Sequence, residues 1–101
     1  MTEQLKKEFE LSQEQLKSYI LRITASVADA EDIVHDTFIK ATEKLHTFKE
    51  QSSLKTWLFA IASNLAKDNL RAKRRWVANI IDMARESAHS AQNFSMGLHI
   101  S

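Results

Sequence analysis

The side chains best suited to chemistry in this chain fall into two groups. Asp32, His35 and Asp36 stand one helical turn apart in EDIVHD, and carboxylates beside an imidazole invite a divalent-ion reading. A metal site needs further ligands converging from elsewhere, and His46, His89 and His99 have no ligand spacing. Ser52 and Ser53 offer hydroxyl nucleophiles, but no pattern supplies a base and an orienting acid. A phosphate-cradling loop needs several glycines, and the chain has one, Gly97. These residues predict no enzyme, no cofactor and no metal.

The second group is a ridge. Thr56, Ser63, Asn64, Lys67, Arg71 and Arg74 recur at three- and four-residue spacing, with Trp57 and Arg75 at the edge. Cations suit phosphates, amide and hydroxyl groups suit base edges, and an indole ring offers a stacking surface, which is the composition of a nucleic-acid face. Any amphipathic helix has a polar face, and cations toward its C-terminus also suit its dipole. The near absence of acids favours the nucleic-acid reading, because Asp68 alone interrupts the strip between Lys55 and Arg75.

The elements that must carry these groups follow from composition. With no proline and one glycine in 101 residues, turns that need positive φ are nearly unavailable, which predicts an all-α domain joined by short polar links. A chain this short buries roughly 60 to 70% of its unfolded surface, and with no cysteine it has no disulfide to help. No apolar run approaches the ~18 residues of a membrane span, and MTEQLKKEFE lacks the apolar stretch of a secretory signal, so a cytoplasmic address is expected. Charge is asymmetric: residues 1–52 hold 7 Lys/Arg against 10 Asp/Glu, and residues 53–101 hold 7 against 3. That division suggests two partners of opposite sign, against the plainer reading of solvated helix faces.

Apolar spacing predicts three helices. Leu5, Phe9, Leu16, Tyr19, Ile20, Ile23 and Val27 share one stripe of a first helix over about Glu3 to Thr24, with Ser12 and Gln15 resembling a capping box that would restart it near LSQEQ. A second helix, N-capped by Asp29 and reaching about His46, buries Ala30, Ile33, Val34, Thr37, Phe38, Ala41 and Leu45. Its outer side carries Asp32, Asp36, Ile39 and Glu43, with His35 and His46 on one flank. A lone exposed isoleucine is ordinary, while one ringed by carboxylates has the make-up of a docking surface for a basic partner. A third helix begins after Ser52 or Ser53 as N-cap and has an apolar arc near 220°, broad enough to sit between two neighbours. WVANIIDMARES can continue it, and the polar tail from Ala88 is expected to be mobile.

The blocks AEDIVHDTF, SSLKTWL and NLAKDNLR, in this order and spacing, resemble region 2 of the bacterial sigma-70 family of RNA polymerase sigma factors, specifically the extracytoplasmic-function (ECF) class. The resemblance covers Ala28 to Arg75 closely and Phe9 to Val27 loosely. It implies a compact three- to four-helix bundle over residues 1–76; residues 77–101 are expected to form a helical extension and flexible tail, in departure from the family, which normally continues into a −35-reading region. It further implies that Asp32, His35, Asp36, Ile39 and Glu43 dock on the basic clamp helices of the β′ subunit of core RNA polymerase. Lys49, Glu50, Gln51, Ser52 and Ser53 correspond to the loop that captures a base flipped from the promoter −10 element. Thr56, Trp57, Asn64, Lys67, Asp68, Arg71, Arg74 and Arg75 correspond to the helix that meets the non-template strand. Two departures stand out: the family loop commonly has glycine and then an acid where this chain has Glu50 and Gln51, and many members carry arginine at the position of Ala60. The alternative that the resemblance leaves open is a shortened sigma-like module, a decoy or the target of an anti-sigma factor.

Overall fold

The computed structural model describes the backbone of residues 1–100 and the side chains of residues 1–88. Its helices are α1 (Thr2–Thr24), α2 (Val27–Lys44) and α3 (Leu54–Ile100), with a 3-10 turn over Leu45–Thr47. The fold is all-α, and no strand occurs among the described residues. No helix is long and apolar enough to cross a membrane among those residues. The chain divides into two compact units, Met1–Leu70 and Arg71–Ser101.

α1 is built largely from Glu, Gln, Lys and Leu, all strong helix formers. It runs unbroken through LSQEQ: Ser12 is buried, and its hydroxyl donates to Glu8 Oε2 at 2.6 Å instead of capping a new start. α1 ends at Ala25, whose left-handed φ of 54° turns the chain while its N–H donates to the Leu21 carbonyl at 2.8 Å. The scarcity of glycine therefore does not exclude positive φ; Ala25 and Glu50 both adopt it.

The next residue starts α2. Ser26 is the N-cap, its Oγ accepting from the Asp29 N–H at 3.2 Å, three residues ahead of the cap expected at Asp29. Asp29 is left in the first turn, where a carboxylate suits the helix dipole. Val27 consequently belongs to α2, and at 55% exposure it is not part of the α1 core stripe. α2 ends at Lys44 rather than near His46, and Leu45 packs from the 3-10 turn.

Two clusters make the core of the first unit. One gathers Leu16, Ile20, Ala30, Ile33, Val34, Ala62 and Ala66; the other joins Leu5, Ala41 and Leu58, with Trp57 and Ile61 packed on it. The first part of α3 thus contributes to both clusters, as its broad apolar arc requires. Ala30, Ala41, Ala62 and Ala66 are wholly buried, so the backbones can approach closely. Phe9 packs against Phe38 as a tilted ring pair with centroids 4.7 Å apart, and Tyr19 against Phe59 at 5.4 Å. The buried hydroxyls of Thr24 and Thr37 donate to Ile20 O and Ile33 O one turn back, so neither leaves an unsatisfied polar group inside.

The second unit is helical in backbone, continuing past Arg75 as WVANIIDMARES predicted. Trp76, Val77, Ile80, Ile81 and Met83 are exposed on it. The mobility expected of the tail falls almost wholly on residues whose side chains lie outside the described ones.

Candidate nucleic-acid and protein-docking surfaces

The segment between the 3-10 turn and α3 is held at both ends. On one side the Phe48 N–H donates to the Leu45 carbonyl at 3.1 Å, and Thr47 Oγ1 donates to the Lys44 carbonyl at 2.6 Å. On the other, Ser53 decides between the two expected caps: its Oγ accepts from the Thr56 N–H at 3.1 Å and donates to Thr56 Oγ1 at 2.9 Å. Such a cap contributes about 1 kcal/mol to the helix start. Phe48 lies against Trp57 with centroids 5.1 Å apart and planes at 41°, a tilted aromatic pair contributing about 0.5 to 1.5 kcal/mol beyond its buried area.

These contacts leave a cavity of about 180 Å³ lined by Thr47, Phe48, Lys49, Gln51, Ser52 and Trp57. Four residues assigned to the loop and helix from sequence, Lys49, Gln51, Ser52 and Trp57, meet there. Glu50 instead lines a different depression, with Met1, Gln4, Glu8, Phe48, Ser52 and Leu54. Its φ is 56°, in the left-handed region that glycine adopts without steric cost. Ser53 and Thr56 are occupied with each other at the start of α3.

A second cavity, a groove of about 270 Å³, runs between α2 and α3. Lys40, Lys44, Thr47, Trp57, Ile61, Asn64, Leu65 and Asp68 line it. It brings Trp57, Asn64 and Asp68 together, whereas Lys67 is exposed outside it. Trp57 and Thr47 wall both cavities, so the half-buried indole serves the core and the surface at once. Lys40 and Lys44 were not assigned a role from sequence. Their signal was available: they are the only Lys or Arg residues on α2, four apart and therefore neighbours on one face. The Asn69 Oδ1 atom is buried without a hydrogen-bond partner. Arg71, Arg74 and Arg75 fall in the second unit, where all three are exposed.

The outer face of α2 presents a different chemistry. Asp32, His35, Asp36, Ile39 and Glu43 are all exposed, opposite the buried Ala30, Ile33, Val34, Thr37 and Ala41. Ile39 is 44% exposed among acids. The salt bridge from Lys17 Nζ to Glu31 Oε1, 3.3 Å, ties α1 to α2 beside this face without involving it. At such exposure a bridge contributes little. No group of three or more His, Cys, Asp or Glu side chains converges as a metal site among the described residues.

Comparison with known proteins identifies the family of the chain. Residues 9–76 match the family described as sigma-70 region 2. A probable RNA polymerase sigma factor of Haemophilus influenzae is 40% identical over 72 residues, 67% of this chain and 37% of that protein. The ECF RNA polymerase sigma-E factor of the same organism is 36% identical over 72 residues, 71% of this chain and 36% of that protein. The ECF RNA polymerase sigma-E factor of Salmonella typhimurium is 37% identical over 86 residues, covering 84% of this chain and 42% of that protein. The chain thus spans about two-fifths or less of the length of these relatives.

Proposed function

Because the chain belongs to the sigma-70 region 2 family, in its ECF class, we propose that it serves bacterial transcription initiation by docking on core RNA polymerase and holding unpaired promoter DNA. The observation that carries the reading is the separation of two surfaces on one small unit. An acidic face centred on Ile39 lies on the outside of α2, and an aromatic-walled cavity with lysine, amide and hydroxyl groups lies between the 3-10 turn and α3. The acidic face complements the basic clamp helices of the β′ subunit. The loop cavity accepts a base flipped out of the −10 element on the non-template strand.

The energetics are of the right order without covalent chemistry. Extruding a base takes a few kcal/mol. Stacking on an aromatic ring returns roughly 1 to 3 kcal/mol per base, and phosphate contacts add to it. Thr47, Gln51 and Ser52 supply donors and acceptors around the captured edge, and Lys49 lies beside them.

The test is co-purification with core polymerase, followed by binding to single-stranded −10 oligonucleotides across a salt series. With about four phosphates neutralised, log affinity against log salt has a slope near −3, at roughly 0.7 per single-strand contact. A flat salt response together with retained polymerase binding would replace this reading with the docking-only module. That module is favoured by the exposed Ala60, which supplies no charge where many family members have arginine. Loss of both activities would refute the reading altogether.

A further inference from the structure

α2 poses an electrostatic puzzle. A helix that offers Asp32, Asp36 and Glu43 to a basic partner gains nothing from cations, yet it carries Lys40 and Lys44. A cation near a helix C-terminus suits the dipole, which accounts for Lys44 but does not reach a full turn back to Lys40. The groove gives both a common place. The two lysines form its α2 side, Asn64 and Asp68 its α3 side, and Trp57 with Ile61 and Leu65 its apolar floor. Both ammonium groups belong to exposed residues, so they remain hydrated until a ligand arrives.

We infer that Lys40 and Lys44 hold the phosphodiester backbone of single-stranded nucleic acid whose bases lie over the Trp57 floor, so that the DNA surface includes the C-terminal half of α2. The inference rests on the proposed DNA-binding function and extends it to residues on a helix assigned only to polymerase docking. The chemistry is matched on each side. An ammonium group is a compact point charge for phosphate, and two placed four residues apart can follow a flexible strand. An indole floor is indifferent to base identity, while the Asn64 amide offers both a donor and an acceptor to a base edge. Because Trp57 and Thr47 also wall the loop cavity, the groove continues that cavity along the surface rather than forming a separate site.

The experiment uses the 101-residue chain and a fluorescent single-stranded oligonucleotide between 0.1 M and 1 M salt. K40Q/K44Q is compared with K40R/K44R and with K6Q/K7Q, which removes the same charge from exposed positions on α1. Two lost contacts reduce the salt slope by about 1.4 and weaken binding about 25-fold at 0.1 M, with the difference vanishing toward 1 M. K40R/K44R and K6Q/K7Q are expected to retain the wild-type slope. A wild-type slope in K40Q/K44Q would overturn the inference while leaving the DNA-binding function standing. An equal loss in K6Q/K7Q would also overturn it, by showing a response to net charge alone. A flat wild-type response would instead remove the function on which it rests.

Discussion

Replacing Glu50 by glycine should stabilise this protein. Glu50 has φ of 56°, where the β-carbon of an L-residue crowds the neighbouring carbonyl. That conformation costs roughly 1 to 2 kcal/mol for a residue with a side chain. Glycine removes the crowding but gives the unfolded chain more freedom, which returns roughly 0.5 to 1 kcal/mol of the gain. The net lies between about zero and 1.5 kcal/mol, centred on ~0.75 kcal/mol of stabilisation, or about 3 to 6 °C in Tm for a domain of this size. A confounding effect is visible in the structure: Glu50 and Glu8 line the same depression, so removing a carboxylate could also relieve repulsion. A substitution series separates the two. Backbone crowding predicts Tm in the order Gly, then Asn, which tolerates the left-handed region, then Ala, Gln and Glu together. Charge relief predicts Gly, Asn, Ala and Gln raised alike. Thermal unfolding followed by circular dichroism reads the order directly, and a Gly variant no more stable than Gln would refute the backbone argument.

Two further outcomes test the flanks of this loop and the opposite face. Ser53→Ala removes the acceptor for the Thr56 N–H and should lower stability by about 1 kcal/mol, measured by urea denaturation, while Ser52→Ala, whose hydroxyl only reaches the Ser53 carbonyl, should change it by less than half as much. Asp36→Arg combined with Ile39→Glu should abolish co-purification with core polymerase while leaving the helical circular dichroism spectrum intact, because both side chains are exposed; unchanged association would place docking elsewhere.

Much of the fold was legible because its helices obey a simple period. Leu16 and Ile20 on α1, Ile33 and Val34 on α2, and Ala62 and Ala66 on α3 fall on the faces their spacing predicts and are buried together in one cluster. What was misread lies where two residues compete for one role. Ser26 and Asp29 are both good caps, and the choice was made by Ala25 adopting a left-handed conformation that its side chain does not advertise. Ser12 and Gln15 imitate a capping box, yet packing draws Ser12 inside and Glu8 satisfies its hydroxyl.

The candidate site was legible in part. Polar residues of the loop and of α3 could be picked out by type, and Lys49, Gln51, Ser52 and Trp57 do line one cavity. That Glu50 turns toward α1 depends on its backbone angle, not on its chemistry. The place of Lys40 and Lys44 depends on which helix packs beside α2, and a one-helix pattern carries no such information.

The two-residue joint at Ala25 and Ser26 has a kinetic consequence. It makes α1 and α2 sequence neighbours whose contacts close a very short loop, and short closures cost little entropy. Pairing of these helices can therefore precede the arrival of α3, on the microsecond to millisecond scale typical of helical bundles. Yet Ala62 and Ala66 complete the cluster around Ile20 and Ile33, so a nascent chain that ends before them leaves that cluster open to water. Synthesis at roughly 5 to 20 residues per second would hold the hairpin in that state for seconds. Its interval of greatest vulnerability to aggregation or proteolysis should fall between translation of Lys44 and translation of Ala66.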